Sequence, residues 1–258
     1  MRRTISIIIL IASLAGSCLK ETVCIDGNGK VAIERRDVTS ITGIVNMTPV
    51  DVIYRKADST SFNITAESNF FRHIVLQSSG RKLEIRTDPR SACFNSTARP
   101  LITITAPSLG TIELTGSGTV GADSLDGSDV SIVSTGSGEV STSYISTGNL
   151  NITMTGSGNV TIGKAECTGS DFALTGSGNL GITGSAENGK MRVTGSGDIK
   201  SQDFILQNSN ETITGSGNIY TQVLTSLEAT ISGSGNIYLR GNPSVKKSIS
   251  GSGKIINY

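Results

Sequence analysis

The chain has 258 residues, with 22 Lys+Arg against 21 Asp+Glu and a formal net charge of +1. That balance lacks the clustered basic face on which nucleic-acid binding rests, so a nucleic-acid partner is excluded. One histidine, four cysteines and no Cys-x-x-Cys pair leave no zinc motif, and no metal or cofactor is expected.

The chain opens with Met1-Arg2-Arg3 and an apolar run from about Ile5 to Ala15, followed by Leu14-Ala15-Gly16-Ser17-Cys18. A basic start, a short apolar run and small residues before a cleavage point predict an export signal over residues 1–17. The run is too short for a membrane-spanning helix, which needs about 20 residues. Leu-Ala-Gly-Ser-Cys is similar to a bacterial lipobox, which makes Cys18 the lipidated first residue of an outer-membrane lipoprotein, on the periplasmic or the cell-surface face. The membrane is then a partner through the lipid anchor, and residues 18–36 are a linker. Ordinary cleavage is the plainer alternative. Export puts Cys24, Cys93 and Cys167 in an oxidising compartment, where an odd count leaves one unpaired. Cys24 with Cys93, both ahead of residue 115, is the one pairing worth considering. Cys167 reads as an ordinary thiol.

Residues 37–114 are strand-rich. Val50–Tyr54, Ser61–Thr65, Lys82–Arg86 and Leu101–Thr105 alternate apolar and polar residues, with turn signals such as Ser78-Ser79-Gly80 and Asp88-Pro89-Arg90 between them. Asn69–Val75 fits either a helical turn or a strand. This section is expected to form opening coils that cap the rest of the chain.

From residue 115 to 258 one phrase dominates. Gly-Ser-Gly recurs eight times, its first glycine at Gly116, Gly136, Gly156, Gly176, Gly195, Gly215, Gly233 and Gly251, in steps of 20, 20, 20, 19, 20, 18 and 18 residues. A fixed period of this size marks a repeat architecture. The residue before each first glycine is Thr or Ser, and four residues after it stands an aliphatic residue (Val120, Val140, Val160, Leu180, Ile199, Ile219, Ile237, Ile255). Period-two alternation gives strand, with Leu114, Gly116, Gly118 and Val120 facing inward and Thr115, Ser117 and Thr119 outward. A bend at Gly-Ser-Gly with one glycine at positive φ is a competing reading. A third apolar position, nine residues after the first glycine, falls on Leu125, Ile145, Ala165 and Leu224, with Phe204 near it in its own repeat. Three apolar clusters per coil predict an all-β parallel β-helix or β-solenoid with coils of about 20 residues, stacked because one coil cannot bury its own face. Ladders of Thr, Ser and Asn are expected between coils. The last coil ends at Ile255-Ile256-Asn257-Tyr258, which leaves the stack end as a surface for self-association.

The succession Arg36–Ile41, Val50–Tyr54, Arg81–Ile85, Ile102–Pro107 and Ile112–Gly118 resembles the bacterial "putative auto-transporter adhesin, head GIN domain" family of secreted lipoproteins, over roughly residues 37–258. The resemblance implies a right-handed β-helix at the cell envelope and brings no catalytic motif with it.

Functional candidates are few. Asp171, Asp198 and Asp203 do not recur at matching positions, as a carboxylate site on a β-helix enzyme would need, and read as solvated turn residues. Gly195-Ser196-Gly197-Asp198 lacks the repeated Asp of a calcium-binding nonapeptide. No Gly-Ser-Gly copy is followed by the Lys-Ser/Thr pair of a phosphate loop. The outward stripe is the candidate binding face: Thr135, Ser137, Thr155, Ser157, Asn159, Thr175, Ser177 and Asn179. It could meet a glycan or a protein, or its side chains could simply satisfy one another. Tyr220 and Tyr238, one repeat apart, are the best aromatic pair for a sugar, or an exposed ladder. The expected function is a non-enzymatic envelope adhesin or binding scaffold; the alternative is a β-helix protein that binds or degrades an extracellular polysaccharide.

Overall fold

A computed structural model describes residues 24–38, 40–90 and 92–258. The export signal and Cys18 lie outside the described residues. No described helix is long and apolar enough to cross a membrane.

The repeats form a parallel β-solenoid of about seven turns. Six long strands carry most of it: Thr119–Ser134, Glu139–Gly156, Asn159–Gly176, Asn179–Gly195, Ile199–Gly215 and Ile219–Gly233. Each pairs in parallel with the next, Val120 opposite Val140, Val140 opposite Val160 and Val160 opposite Leu180. Within one coil the inward side chains come in three groups, Val140 with Thr142, then Ile145, then Leu150, Ile152 and Met154. Between them the alternation breaks, as at Ser143-Tyr144, where two successive residues face out. Those breaks are the bends of a three-sided coil. Stacking turns each inward position into a column, and the column through Val120, Val140, Val160, Leu180, Ile199, Ile219 and Ile237 is no more than 1% exposed. Burying each such side chain stabilises the stack by roughly 1.5–3 kcal/mol.

Both readings of Gly-Ser-Gly hold at once. Parity survives, since Leu174 and Gly178 are buried while Thr175 and Ser177 are exposed. The phrase also bends, because from Gly156 onward the first glycine has φ between 118° and 133°. Its carbonyl accepts two N–H groups from the coil above: Gly156 O receives Ser177 N at 2.9 Å and Gly178 N at 3.1 Å. The coils approach so closely that a Cβ on Gly176 would stand 2.4 Å from Gly156 O, and one on Gly178 would stand 2.0 Å from Gly158 O. Only glycine fits either position.

The third apolar position holds for Leu125, Ile145, Ala165 and Phe204, all 0% exposed, and fails for Leu224, which is 46% exposed. Val223 takes its place in the core, opposite Leu206. The coil there is two residues shorter, and register shifts between Ser201 and Ile205 and between Leu206 and Asn208 together absorb the difference.

At the other end, Gly43–Asn46 and Asp51–Lys56 form a floor coil in parallel register beneath Thr111–Leu114 and Thr119–Ser134. In place of Gly-Ser-Gly it carries a side-chain knot: Asn46 Nδ2 donates to Val50 O at 2.9 Å, and Thr48 Oγ1 donates to Asn46 Oδ1 at 2.7 Å. Below lie Lys82–Thr87 and Leu101–Ala106, still parallel to the floor coil. Antiparallel strands Ser61–Glu67 and Ile74–Ser79 then close this end. The stretch from Asn69 supplies both anticipated forms, a 3-10 turn over Ser68–His73 and a strand from Ile74. Cys24–Asp26 pairs with Cys93–Asn95, and a disulfide joins Cys24 to Cys93. Cys167 is free and half-buried, and burial raises its thiol pKa to about 11.

Candidate functional site

The outward stripe lies where the alternation put it. Thr135, Ser137, Thr155, Ser157, Thr175 and Ser177 are exposed at the Gly-Ser-Gly bend, with Asn159 exposed and Asn179 half-buried beside them. The two kinds of residue behave differently. No side-chain hydrogen bond joins the hydroxyls to one another among the described residues, so the expected Thr and Ser ladder is absent there. The amides do form a ladder. Asn159 Oδ1 accepts both the backbone N–H of Asn179, at 3.1 Å, and its Nδ2, at 3.2 Å. Asn179 Oδ1 accepts Asp198 N at 3.3 Å, Asp198 Oδ1 accepts Asn218 N at 2.9 Å, and Asn218 Oδ1 accepts Asn236 N at 3.0 Å. Asp51 makes the same kind of contact in the floor coil, accepting Thr119 N at 3.0 Å. These side chains tie one coil to the next, so Asn159 and Asn179 are structural supports beside a row of free hydroxyls.

Recesses in the surface lie on other corners of the coil. A groove runs along the bend before the third strand segment, in two contiguous parts of about 380 and 450 Å³ that share Asn188 and Gly189. It exists because Ser170, Gly189 and Ser209 occupy, in three successive coils, the position filled elsewhere by Leu150 or Leu227. Its walls are largely self-satisfied: Asn149 Nδ2 donates to Asp129 Oδ1 at 2.9 Å, Asn208 Nδ2 to Asn188 Oδ1 at 3.2 Å, and Lys246 Nζ to Glu228 Oε1 at 2.7 Å.

A second recess, of about 340 Å³, is lined by Lys200, Gln202, Tyr220, Tyr238 and Tyr258. Tyr220 and Tyr238 stack with centroids 4.6 Å apart and planes 6° apart, as their positions one repeat apart imply. Tyr258 meets Tyr238 edge-on, at 6.4 Å and 74°. Sequence reasoning found the first two tyrosines and missed the other three residues. Lys200 was findable, since it stands five residues after its own first glycine, as Tyr220 and Tyr238 do. Gln202 lies where the register shifts and Tyr258 outside the repeat phrase, so neither carries a periodic signal.

The three aspartates singled out from the sequence do not come together. Asp171 pairs with Arg192 at 2.9 Å and Asp203 with Arg240 at 3.7 Å, while Asp198 belongs to the amide ladder. Hydrogen bonds from Asn149 and Ser128 lower the Asp129 pKa, and Lys164, then Tyr144, lower that of Glu166. Among the described residues no three of His, Cys, Asp and Glu stand close enough to hold a metal ion. Among the described carboxyl groups, Glu211 alone is shifted far upward, to about 7, by complete burial in the core.

A family model described as "putative auto-transporter adhesin, head GIN domain" matches residues 40–243. A search of the curated proteins finds no significant match. Among solved structures, a "putative lipid binding protein" of Parabacteroides distasonis is 26% identical, with a TM-score of 0.85 over 91% of this chain and 99% of that one. A "putative adhesin" of Parabacteroides merdae is 21% identical, with a TM-score of 0.86 over 92% and 99%. A second P. distasonis "putative adhesin", also 21% identical, has a TM-score of 0.83 over 91% and 100%. With four-fifths of its length matched and the solenoid shared, the chain belongs to the putative auto-transporter adhesin, head GIN domain family.

Proposed function

We propose that the chain is a non-catalytic binding scaffold of the cell envelope, an adhesin held at the outer membrane by lipid on Cys18. The observation that carries this reading is the outer wall of the stack. Its polar groups recur coil after coil, Asp171 and Asp203 each pair with an arginine, Asp198 belongs to the amide ladder, and the exposed hydroxyls of Thr135, Ser137, Thr155, Ser157, Thr175 and Ser177 are left unpaired with one another among the described residues. A repetitive wall suits many weak contacts acting together. The Cys24–Cys93 disulfide supports export, because such bonds persist in oxidising compartments. A second reading, in which the ligand is a lipid, is favoured by the 26% identity to the P. distasonis protein described as lipid binding.

The test is binding of the purified protein to arrays of glycans, matrix proteins and lipid vesicles. Saturable binding to a glycan or protein, weakened by Ser157→Tyr with Ser177→Tyr in a protein that still folds, supports the scaffold and places contact at the hydroxyl row. Binding to vesicles alone selects the lipid reading. Release of reducing ends from a polysaccharide overturns the non-catalytic assignment. Fatty-acid labelling lost in Cys18→Ala tests the anchor.

A further inference from the structure

We infer that the recess at Tyr220, Tyr238 and Tyr258 binds an acidic sugar unit of a glycan, its ring against the tyrosines and its carboxylate at Lys200. The inference rests on the adhesin reading and names a ligand class for it.

The aromatic column is not a ladder that merely follows the coil. By register, the same outward position holds Gly121, Ser141, Thr161 and Gly181 in earlier coils, then Lys200, Tyr220 and Tyr238, and then Ile256. Two rings therefore rise beside a face of small residues. Tyr258 does not extend the stack. It turns 74° against Tyr238 and forms a third wall of the recess.

The volume of about 340 Å³ is near the lower end for small-ligand clefts, which run from about 300 to 1,000 Å³. The lining mixes ring carbon with phenol hydroxyls, one ammonium and one carboxamide. A sugar has the matching anatomy, with C–H patches on its faces and hydroxyls around its rim, and aromatic side chains that carry a polar tip suit such a partner. An acyl chain would leave these polar groups without partners. Lys200 makes no ion pair among the described residues, whereas Lys164 and Lys246 each hold a glutamate. An incoming carboxylate would be its first partner. The side-chain oxygen of Gln202 is buried with no hydrogen-bond partner, an acceptor that a sugar hydroxyl can satisfy once the amide turns toward it. Burial, and secondarily Asp198, raises the Tyr220 pKa, so its hydroxyl remains a donor at neutral pH.

The experiment titrates the purified protein with a trimer of galacturonic acid, the corresponding neutral galactose trimer, and phosphatidylglycerol vesicles. Tyrosine emission reports directly, because the chain has no Trp and three of its five Tyr line the recess. Saturable binding of the acidic trimer is expected, weakened about tenfold or more by Tyr238→Ala through loss of stacking. Lys200→Gln should cost about fivefold for the acidic trimer and leave the neutral one unchanged. Lys200 is an exposed side chain, so this variant keeps the test valid if Tyr238→Ala misfolds; Tyr144→Ala, elsewhere on the wall, should bind normally. No binding of the acidic trimer, equal binding by Lys200→Gln, or binding of vesicles alone overturns the inference. Array binding that persists in both recess variants also overturns it while leaving the adhesin reading intact. Trimer binding by a protein that adheres to nothing on the array would do the reverse.

Discussion

Glu211 stands in the core column between Met191 and Ala229 and is 0% exposed. Ser209 Oγ donates to its Oε1 at 2.9 Å, while Oε2 and the facing Thr221 Oγ1 are buried without hydrogen-bond partners. Burial raises its pKa from 4.5 to about 7, against the opposing pull of the Ser209 hydrogen bond. A carboxyl whose folded pKa exceeds its unfolded value favours the fold most when both states are protonated. That stability is complete below about pH 4.5 and is lost as pH rises through about 7. The difference of about 2.5 units, at 1.36 kcal/mol each, corresponds to about 3 kcal/mol between pH 4.5 and 8. Glu211→Gln keeps the acceptor for Ser209 and offers Thr221 a donor, so it removes the dependence. Urea denaturation at half-unit pH steps, followed by far-UV circular dichroism, should show wild type losing stability relative to the variant across this window. Surface carboxylates with lowered pKa, such as Asp129 and Glu228, act in the opposite sense, losing their contribution as pH falls below the ordinary carboxylate range. The difference between the two proteins cancels them. Parallel profiles, or a wild type more stable at pH 8 than at pH 5 relative to the variant, would refute the burial argument.

The same denaturation assay checks three other consequences. Val160→Asp places an unpaired charge at a 0% exposed position and should cost several kcal/mol, whereas Asn159→Asp should be mild, because Asp198 already fills the equivalent ladder position; equal losses would mean the faces are wrongly assigned. Gly176→Ala and Gly178→Ala force a Cβ into the carbonyl below and should each cost more than 1 kcal/mol, while Gly181→Ala, with nothing within 4 Å, should be neutral or slightly stabilising. Similar midpoints for all three would argue against close approach as the reason for glycine. Cys93→Ser opens a cross-link between residues 69 apart in sequence and should cost about 4 kcal/mol on loop-closure grounds, read as a fall in the urea midpoint under non-reducing conditions; an unchanged midpoint would separate the disulfide from the stability of the cap.

The solenoid was legible because its requirements repeat. An inward aliphatic residue four places after each first glycine, and glycines whose Cβ atoms would strike the coil below, appear in every copy, so errors at one position are outvoted by the others. Leu224 misled because that coil is two residues short, and a fixed offset from the glycine cannot see where the missing residues come out. The antiparallel closure by Ser61–Glu67 and Ile74–Ser79 was not legible either. Alternation identifies a strand and says nothing of the direction of its partner. Glu211 could have been found by aligning the coils, since the residue four places before its first glycine is Ile132, Ile152, Phe172 and Met191 in the coils below; its isolation in that column, more than its charge, marks it.

Recognition surfaces were legible only in part, for a reason built into stacking. Residues that touch along the wall are 18 to 20 positions apart in sequence, so a site is a short run within one outward column plus whatever the adjacent bends contribute. Tyr220 and Tyr238 belong to such a run and were visible. The recess they border also needs Gln202, released by a register shift, and Tyr258, which approaches from the next turn with its N–H on Leu239 O. The hydroxyl row shows the converse. It is the most regular feature of the sequence, yet its regularity follows from the glycine bend, which exposes whatever residues flank and separate the two glycines. Strict repetition in this chain therefore reports on how the coils stack, and departures from it, at Lys200, Gln202 and Tyr258, are where a ligand of defined chemistry finds a distinct surface.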